Sequence, residues 1–224
     1  WGWQADLLGH TAPIVNLRFA DDAATLYSAA KDGTLHQWHI QAMNATSTPI
    51  WFDEQPASIS DTAISPDGQV GALVLDNGDL MLLDADSNIK YQYALNENDL
   101  QILFRPDANR RQGTLLVKAE DSVRLLSYRG RQIKDEGQFP SVGKEAPLND
   151  AAFSPDALLL LLAVEEINFY DSDNGDWLGN LPVISGENNV AVSRVSFSQD
   201  GKWLLVISGD VGEARLYAVA VESN

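Results

Sequence analysis

The chain has 224 residues, 45% of them apolar, no cysteine, and 15 basic against 32 acidic residues, which gives a net charge of −17. The lack of cysteine excludes disulfides and thiol chemistry, and no apolar run reaches the roughly 18 to 20 residues of a membrane-spanning helix. The negative charge repels phosphate backbones and anionic surfaces, so we expect neither nucleic acid nor membrane insertion.

The N-terminal part of the sequence contains the most complete of several repeated patterns. It begins with the pair Gly9 and His10, continues through two short apolar runs to an Asp-Gly turn at Asp32, and ends at Trp38. Asp-Gly between apolar runs is typical of a tight hairpin turn. The pattern therefore predicts short antiparallel strands.

A second pattern recurs five times, at intervals of about 40 to 50 residues. In each copy an aromatic residue or Ile is followed by two residues and an Asp: Phe19 to Asp22, Ile64 to Asp67, Phe104 to Asp107, Phe153 to Asp156 and Phe197 to Asp200. Three copies contain Ser-Pro-Asp or Ser-Gln-Asp, which favours a turn that ends a strand. An apolar second run and a third run ending in a bulky residue follow. In the first four copies a shorter and more polar outer run comes next, which in the first copy we expect around Ile50 to Phe52.

These repeats resemble WD40 repeats, each of which forms one blade of a β-propeller. The resemblance implies an all-β fold, a β-propeller of four-stranded antiparallel blades, in a single domain over residues 1–224. We expect five blades at 9–53, 54–96, 97–137, 147–183 and 190–224. Because the fifth copy ends after its third run, we expect residues 3–8 to supply its outer strand and close the ring. The alternative is part of a seven-bladed propeller.

The resemblance also implies a hydrogen-bond chain in the first copy, from Trp38 to Ser28, from Ser28 to His10 and from His10 to Asp32. Imidazole has two ring nitrogens and can bond a hydroxyl and a carboxylate together. A Ser, His and Asp in contact could also form a hydrolase triad, but no Gly-x-Ser-x-Gly elbow is present to expose the serine. We therefore interpret the four residues as structural and predict no catalytic residue.

Other candidate sites in the sequence are weak. His36 and His39 are three apart on a predicted strand and point to opposite faces, so they cannot share a metal. The turns at Asp84–Asn88 and Asp171–Gly175 resemble the start of calcium loops but lack Gly at the sixth position and Glu at the twelfth. We expect no metal and no cofactor.

The loops of a WD40-like propeller gather on two rims, and charge differs between them. On one rim we expect an acidic surface made of Glu54, Asp76, Glu97, Glu120, Asp121, Glu165, Glu187, Asp210 and Glu213. On the opposite rim we expect a basic patch made of Arg110, Arg111, Arg129 and Arg131. The sequence therefore predicts a surface for a basic peptide or protein segment and, opposite it, one for an acidic neighbour.

The function predicted from the sequence is a non-catalytic protein-interaction platform or sensor module. Two alternatives stay open: an enzyme or small-ligand binder that uses the central channel, and an exported bacterial propeller in an envelope complex. Partners could include other domains upstream of Trp1, and the composition slightly favours the cytoplasm over export.

Overall fold

The structure is a computed structural model, and its described part is built from β-strands and turns. The described residues are 6–19, 24–32, 34–41, 44–51, 59–84, 90–95, 100–109, 111–119, 122–130, 132–138, 148–185, 188–189, 191–209 and 212–219. This part of the chain contains no helix long and apolar enough to cross a membrane.

The strands form five successive antiparallel sheets, the blades. Blade 1 contains β1 (Ile14–Phe19), β2 (Thr25–Ala30), β3 (Leu35–Gln41) and β4 (Asn44–Trp51). Blade 2 contains β5 (Ile59–Ile64), β6 (Val70–Leu75), β7 (Asp79–Asp84) and β8 (Lys90–Ala94). Blade 3 contains β9 (Gln101–Phe104), β10 (Gln112–Lys118), β11 (Val123–Arg129) and β12 (Gln132–Gln138).

The last two blades follow the same order. Blade 4 contains β13 (Asp150–Phe153), β14 (Leu159–Ala163), β15 (Ile167–Asp171) and β16 (Trp177–Leu181). A small hairpin follows, of β17 (Ile184–Ser185) and β18 (Asn188–Asn189). Blade 5 contains β19 (Arg194–Phe197), β20 (Trp203–Ser208) and β21 (Glu213–Ala218).

The chain divides into two compact units, each with its own core. The first consists of residues 1–104, 108–117 and 126–135, and the second of 105–107, 118–125 and 136–224. In the first unit, Tyr27 and Ala29 of blade 1 pack on Leu73 and Leu83 of blade 2. Every residue of β2 and β6 is buried, which explains why β6 is a continuous apolar run and why β2 is apolar except for Thr25 and Ser28.

The core of the second unit lies between blades 4 and 5. Leu161 and Ala163 of blade 4 pack against Leu204 and Val206 of blade 5. Successive side chains along a strand point to opposite faces of its sheet, so a blade can pack on a different neighbour through each face.

The turns predicted from Ser-x-Asp form a repeated hydrogen-bond motif. In blade 2 the Ser65 hydroxyl donates to Asp67 over 2.6 Å and accepts from the N–H of Val70 over 2.9 Å. The same bonds occur at Ser154 in blade 4 and at Ser198 in blade 5. Each turn satisfies its polar groups locally, so the strand before it ends there.

Polar side chains on the innermost strands connect neighbouring blades within each unit. In the first unit Asn16 Nδ2 donates to the carbonyl of Thr62 over 2.7 Å, and Asp61 Oδ2 accepts from the N–H of Ile102 over 2.8 Å. In the second unit Asp150 Oδ2 accepts from the N–H of Val195 over 2.9 Å. Each of these side chains lies three positions before the first residue of the recurring turn pattern, so one repeat position joins successive blades.

Two predicted outer strands differ from the structure. β4 begins at Asn44, not at Ile50, because its first half is rich in Thr and Ser, which suit an exposed strand but carry no apolar signal. Among the described residues blade 5 has three strands, and residues 6–8 of the predicted N-terminal strand have no strand structure. The rest of that segment, residues 3–5, lies outside the described residues.

Candidate functional site

The four residues of the predicted hydrogen-bond chain lie close together, but one link differs from the prediction. Trp38 Nε1 donates to Ser28 Oγ over 2.7 Å, and Ser28 Oγ lies 2.6 Å from Nε2 of His10. His10 Nδ1 lies 2.8 Å from the hydroxyl of Thr34, which donates to Asp32 Oδ1 over 2.7 Å. Thr34 therefore carries the link between His10 and Asp32 that we expected to be direct.

The direction of each bond in this chain follows from what the groups can donate. The Asp32 carboxylate only accepts, so the Thr34 hydroxyl donates to it and its oxygen accepts from Nδ1–H of His10. The Ser28 oxygen accepts from Trp38, so its own proton goes to Nε2 of His10. When His10 is neutral and carries its proton on Nδ1, each donated hydrogen in this chain has one acceptor. The serine proton is therefore engaged in a structural hydrogen bond with His10.

A second histidine packs against this chain. The rings of His36 and Trp38 stack with centroids 5.3 Å apart, and those of His36 and His10 are 4.3 Å apart. Among the described residues Nδ1 of buried His36 has no hydrogen-bond partner. A Cβ atom at Gly9 would stand 2.7 Å from Cε1 of His36, which explains why Gly precedes His10.

Burial sets the protonation of both histidines. Burial lowers the pKa of His10, His36 lowers it further, and Asp32 opposes the shift. Burial also lowers the pKa of His36, again against the attraction of Asp32. Both shifts favour the neutral ring, and for His10 the neutral form is also the one that the hydrogen-bond directions require.

Three members of the predicted acidic rim lie in the described part of the chain. Asp76 is exposed in the turn between β6 and β7, and Glu165 is exposed in the equivalent turn between β14 and β15. Glu213 at the start of β21 instead pairs with Arg215 at 2.7 Å. The other six predicted members lie outside the described residues: Glu54, Glu97, Glu120, Asp121, Glu187 and Asp210.

Many other carboxylates already serve structural hydrogen bonds. Three close the recurring turns: Asp67, Asp156 and Asp200. Two join neighbouring blades: Asp61 and Asp150. Two more bond the guanidinium of Arg105: Asp107 and Asp173. The bond from Arg105 lowers the pKa of Asp107. Asp76 and Glu165 differ from these, since neither forms a hydrogen bond or ion pair through its side chain to a described residue.

The basic patch is described in part. Arg111 and Arg129 are both exposed, and the N–H of Gly130 donates to the carbonyl of Arg111 over 2.9 Å, which brings the two segments together. Both lie at the end of the blade 3 strands opposite the turn between β10 and β11. Arg110 and Arg131 lie outside the described residues.

The candidate calcium loop of blade 4 is a hairpin turn. Asp171 Oδ1 accepts from the N–H groups of Asp173 and Asn174, and Gly175 has a φ of 77°. This carboxylate oxygen is therefore occupied by the backbone. The corresponding segment 85–88 of blade 2 lies outside the described residues.

Two features of the structure were not predicted from the sequence. The first is the role of Thr34. This residue follows the Asp-Gly turn, so the sequence could have indicated a hydroxyl close to Asp32. The polar links between blades had a clearer signal, because one repeat position is polar in all five copies. This position, three before the recurring turn pattern, holds Asn16, Asp61, Gln101, Asp150 and Arg194.

Comparison with known proteins identifies the fold. Residues 3–39 match the family model of the WD40 repeat, described as WD domain, G-beta repeat. The β-propeller domain of Cps50 (Swd1) from Myceliophteria thermophila matches 96% of this chain and 68% of that chain, with a TM-score of 0.73 and 17% identity. The chain therefore has a β-propeller fold, and its residues 3–39 are similar to a WD40 repeat. No curated protein sequence matches it.

The fold by itself does not identify a function. This chain matches 1511 chains of known structure, and one fold can serve many functions. The surface residues have to supply that information.

Proposed function

We propose that this β-propeller, whose first repeat is similar to a WD40 repeat, is a protein-interaction scaffold. It binds a basic peptide or protein segment through the turns between the second and third strands of its blades. The observation that carries the proposal is the contrast among the carboxylates. Seven carboxylates close turns, link blades or hold Arg105, whereas Asp76 and Glu165, in turns between second and third strands, are exposed and have no described cationic partner. A lysine or arginine side chain of a partner would supply one.

The net charge of the chain supports a basic partner. At −17 the molecule attracts cations over a distance of about 10 Å at moderate ionic strength. Such attraction raises association rates and selects partners by sign. The exposed Arg111 and Arg129 give the opposite turns of blade 3 a local positive charge, and we propose that this patch contacts an acidic neighbour.

The experiment measures the affinity of the chain for a short fluorescent peptide rich in lysine and arginine, with an acidic peptide of equal length as the negative control. Asp76→Lys tests the first unit and Glu165→Lys tests the second. Asp176→Lys is the matched control, because Asp176 is also exposed in blade 4 but lies in the turn between β15 and β16, at the other end of the strands.

We expect each rim variant to weaken binding roughly threefold to tenfold at low salt, with a smaller effect as salt screens the charges. The control should bind as the parent chain does. Equal affinity for both peptides, or a loss in Asp176→Lys as large as in Glu165→Lys, would overturn the proposal.

A further inference from the structure

Residues 9–13 have no strand structure of their own and are held on blade 1 by hydrogen bonds. We call these five residues the latch. Side-chain bonds join two of them to three residues of blade 1: His10 to Ser28 and Thr34, and Thr11 to Asp32. One backbone bond adds to these, since the N–H of Lys31 donates to the carbonyl of Pro13 over 2.9 Å. The latch therefore lies on the turn between β2 and β3.

The latch also covers one nitrogen of His36. A Cβ atom at Gly9 would stand 2.9 Å from Nδ1 of His36, and in the described part of the chain this buried nitrogen has no hydrogen-bond partner. A protonated imidazole carries a hydrogen on each ring nitrogen. Protonation of His36 beneath the latch would thus bury a donor without an acceptor, which costs free energy. Once the latch has moved away, water can accept that hydrogen.

The hydrogen bonds of His10 also require a neutral ring while the latch is in place. Nε2 of His10 accepts the proton of Ser28, whose oxygen accepts from Trp38. If Nε2 gains a hydrogen, the serine proton loses its acceptor and two donors compete for one hydroxyl oxygen. The ring centroids of His10 and His36 are 4.3 Å apart, so two protonated rings also repel each other.

The surrounding charges do not reverse this preference. Burial lowers the pKa of both rings, and the attraction of Asp32 opposes the shift without cancelling it. The other charged or titratable side chains on the surrounding segment, strands and turn are Asp6, Arg18, Tyr27, Lys31 and His39, and residues 44–51 of β4 contain none. The attached latch therefore binds protons more weakly than the detached latch does.

We propose that residues 9–13 form a pH-sensitive latch, which stays on blade 1 while His10 and His36 are neutral and detaches when the two rings take up protons. Attachment is complete above a pH of about 6.5 and is lost as the pH falls from there. The strands of blade 1 remain paired, because their backbone bonds do not involve the histidine side chains. The latch is independent of the proposed peptide site, whose carboxylates belong to blades 2 and 4.

Amide hydrogen exchange of the full chain, measured by NMR at pH 7.5 and 5.5, tests the proposal. Rates are compared as protection factors, which removes the effect of pH on exchange itself. The N–H of Lys31 reports on the latch, because its acceptor is the carbonyl of Pro13. We expect its protection to fall by about tenfold or more at the acid pH, since each histidine contributes up to about tenfold per pH unit. The N–H of Gly78, which donates to Leu75 in the equivalent turn of blade 2, should keep its protection.

Two histidine variants identify the groups that take up the protons. His36→Phe keeps an aromatic ring beside Trp38 but cannot be protonated, so the change at Lys31 should shrink to about threefold. His39→Phe is the matched control, because His39 is exposed on the same strand, and it should retain the full change. Equal protection of Lys31 at both pH values in the parent chain would overturn the proposal. So would a parallel loss at Gly78, which indicates unfolding of the blades, or equal effects of the two variants.

Discussion

Tyr27 of blade 1 lies so close beneath Gly68 of blade 2 that a Cβ atom at Gly68 would stand 2.0 Å from the tyrosine hydroxyl oxygen. Gly68 belongs to the recurring Ser-x-Asp turn and has a φ of 69°. Gly201 has the same φ in the equivalent turn of blade 5, but there a Cβ atom would meet nothing closer than 3.9 Å. The two glycines share a backbone conformation and differ in what lies beside them.

The pair separates backbone strain from steric overlap. Gly201→Ala should lower the free energy of unfolding by about 1 kcal/mol, the cost of a left-handed alanine. Gly68→Ala should cost about 3 kcal/mol or more, because Tyr27 must also move out of a packed core. Urea unfolding of both variants measures the difference, and equal losses would contradict the close contact.

Thr34 joins His10 to Asp32, and its hydroxyl is the group that does so. Thr34→Val keeps the shape of the side chain but removes the hydroxyl, which leaves Nδ1–H of His10 without its acceptor. We expect a loss of about 1 to 3 kcal/mol in the free energy of unfolding. Thr34→Ser retains the hydroxyl and is the control; if Val and Ser behave alike, the bridge does not stabilise blade 1.

Half-buried His10 and buried His36 predict acid sensitivity. Burial lowers the pKa of His10 and of His36, so the unfolded chain binds these protons more readily than the folded chain. Their contribution to stability is complete above pH of about 6.5 and is lost as the pH falls from there through the lowered folded values. Urea unfolding at pH 7.5 and 5.5 should show lower stability at the acid pH, with a smaller drop in His36→Phe. A drop of the same size in that variant would contradict the assignment.

Asp61 combines a buried charge with a bond between blades. Burial raises the pKa of Asp61 despite the N–H groups of Ile102 and Thr62, so its folded pKa lies above the unfolded value. The stability that this shift contributes is present at acid pH and is lost as the pH rises through the folded pKa. Asp61→Asn should therefore be at least as stable as the parent at pH 7.

The alanine variant of Asp61 completes the test. Asp61→Ala removes the acceptor of the Ile102 N–H and should cost about 1 to 3 kcal/mol at pH 7. Thermal unfolding monitored by circular dichroism compares the parent and both variants. If Asn destabilises the protein as much as Ala does, the carboxylate charge itself is needed and our interpretation of the buried position is wrong.

The blades were predictable because their signals are local. Ser65 and Asp67 bond each other and the next few amides, so a short stretch of sequence determines the turn. The outer strand β4 was placed too late because the first half of its sequence is rich in Thr and Ser and carries little hydrophobic pattern. Prediction was accurate where short-range hydrogen bonds or continuous burial determine the strand.

The features that escaped prediction depend on residues far apart in sequence. The bond between Asp61 and the N–H of Ile102 spans 41 residues. The sequence shows that Asp61 and Asn16 occupy the same repeat position, but it does not show which residue each of them bonds. Sequence pattern shows which strand positions are polar, but only the structure shows which backbone group each of them bonds.

The central claim concerns where a basic partner binds, and chemical-shift mapping tests it most directly. Backbone amide spectra of the isotope-labelled chain are recorded while the lysine- and arginine-rich peptide is added. We predict that the largest shifts occur in the turns at residues 76–78 and 164–166, between the second and third strands of blades 2 and 4. Shifts concentrated in the opposite turns, around residues 109–111 and 173–176, would contradict the account, and so would a spectrum that the peptide leaves unchanged.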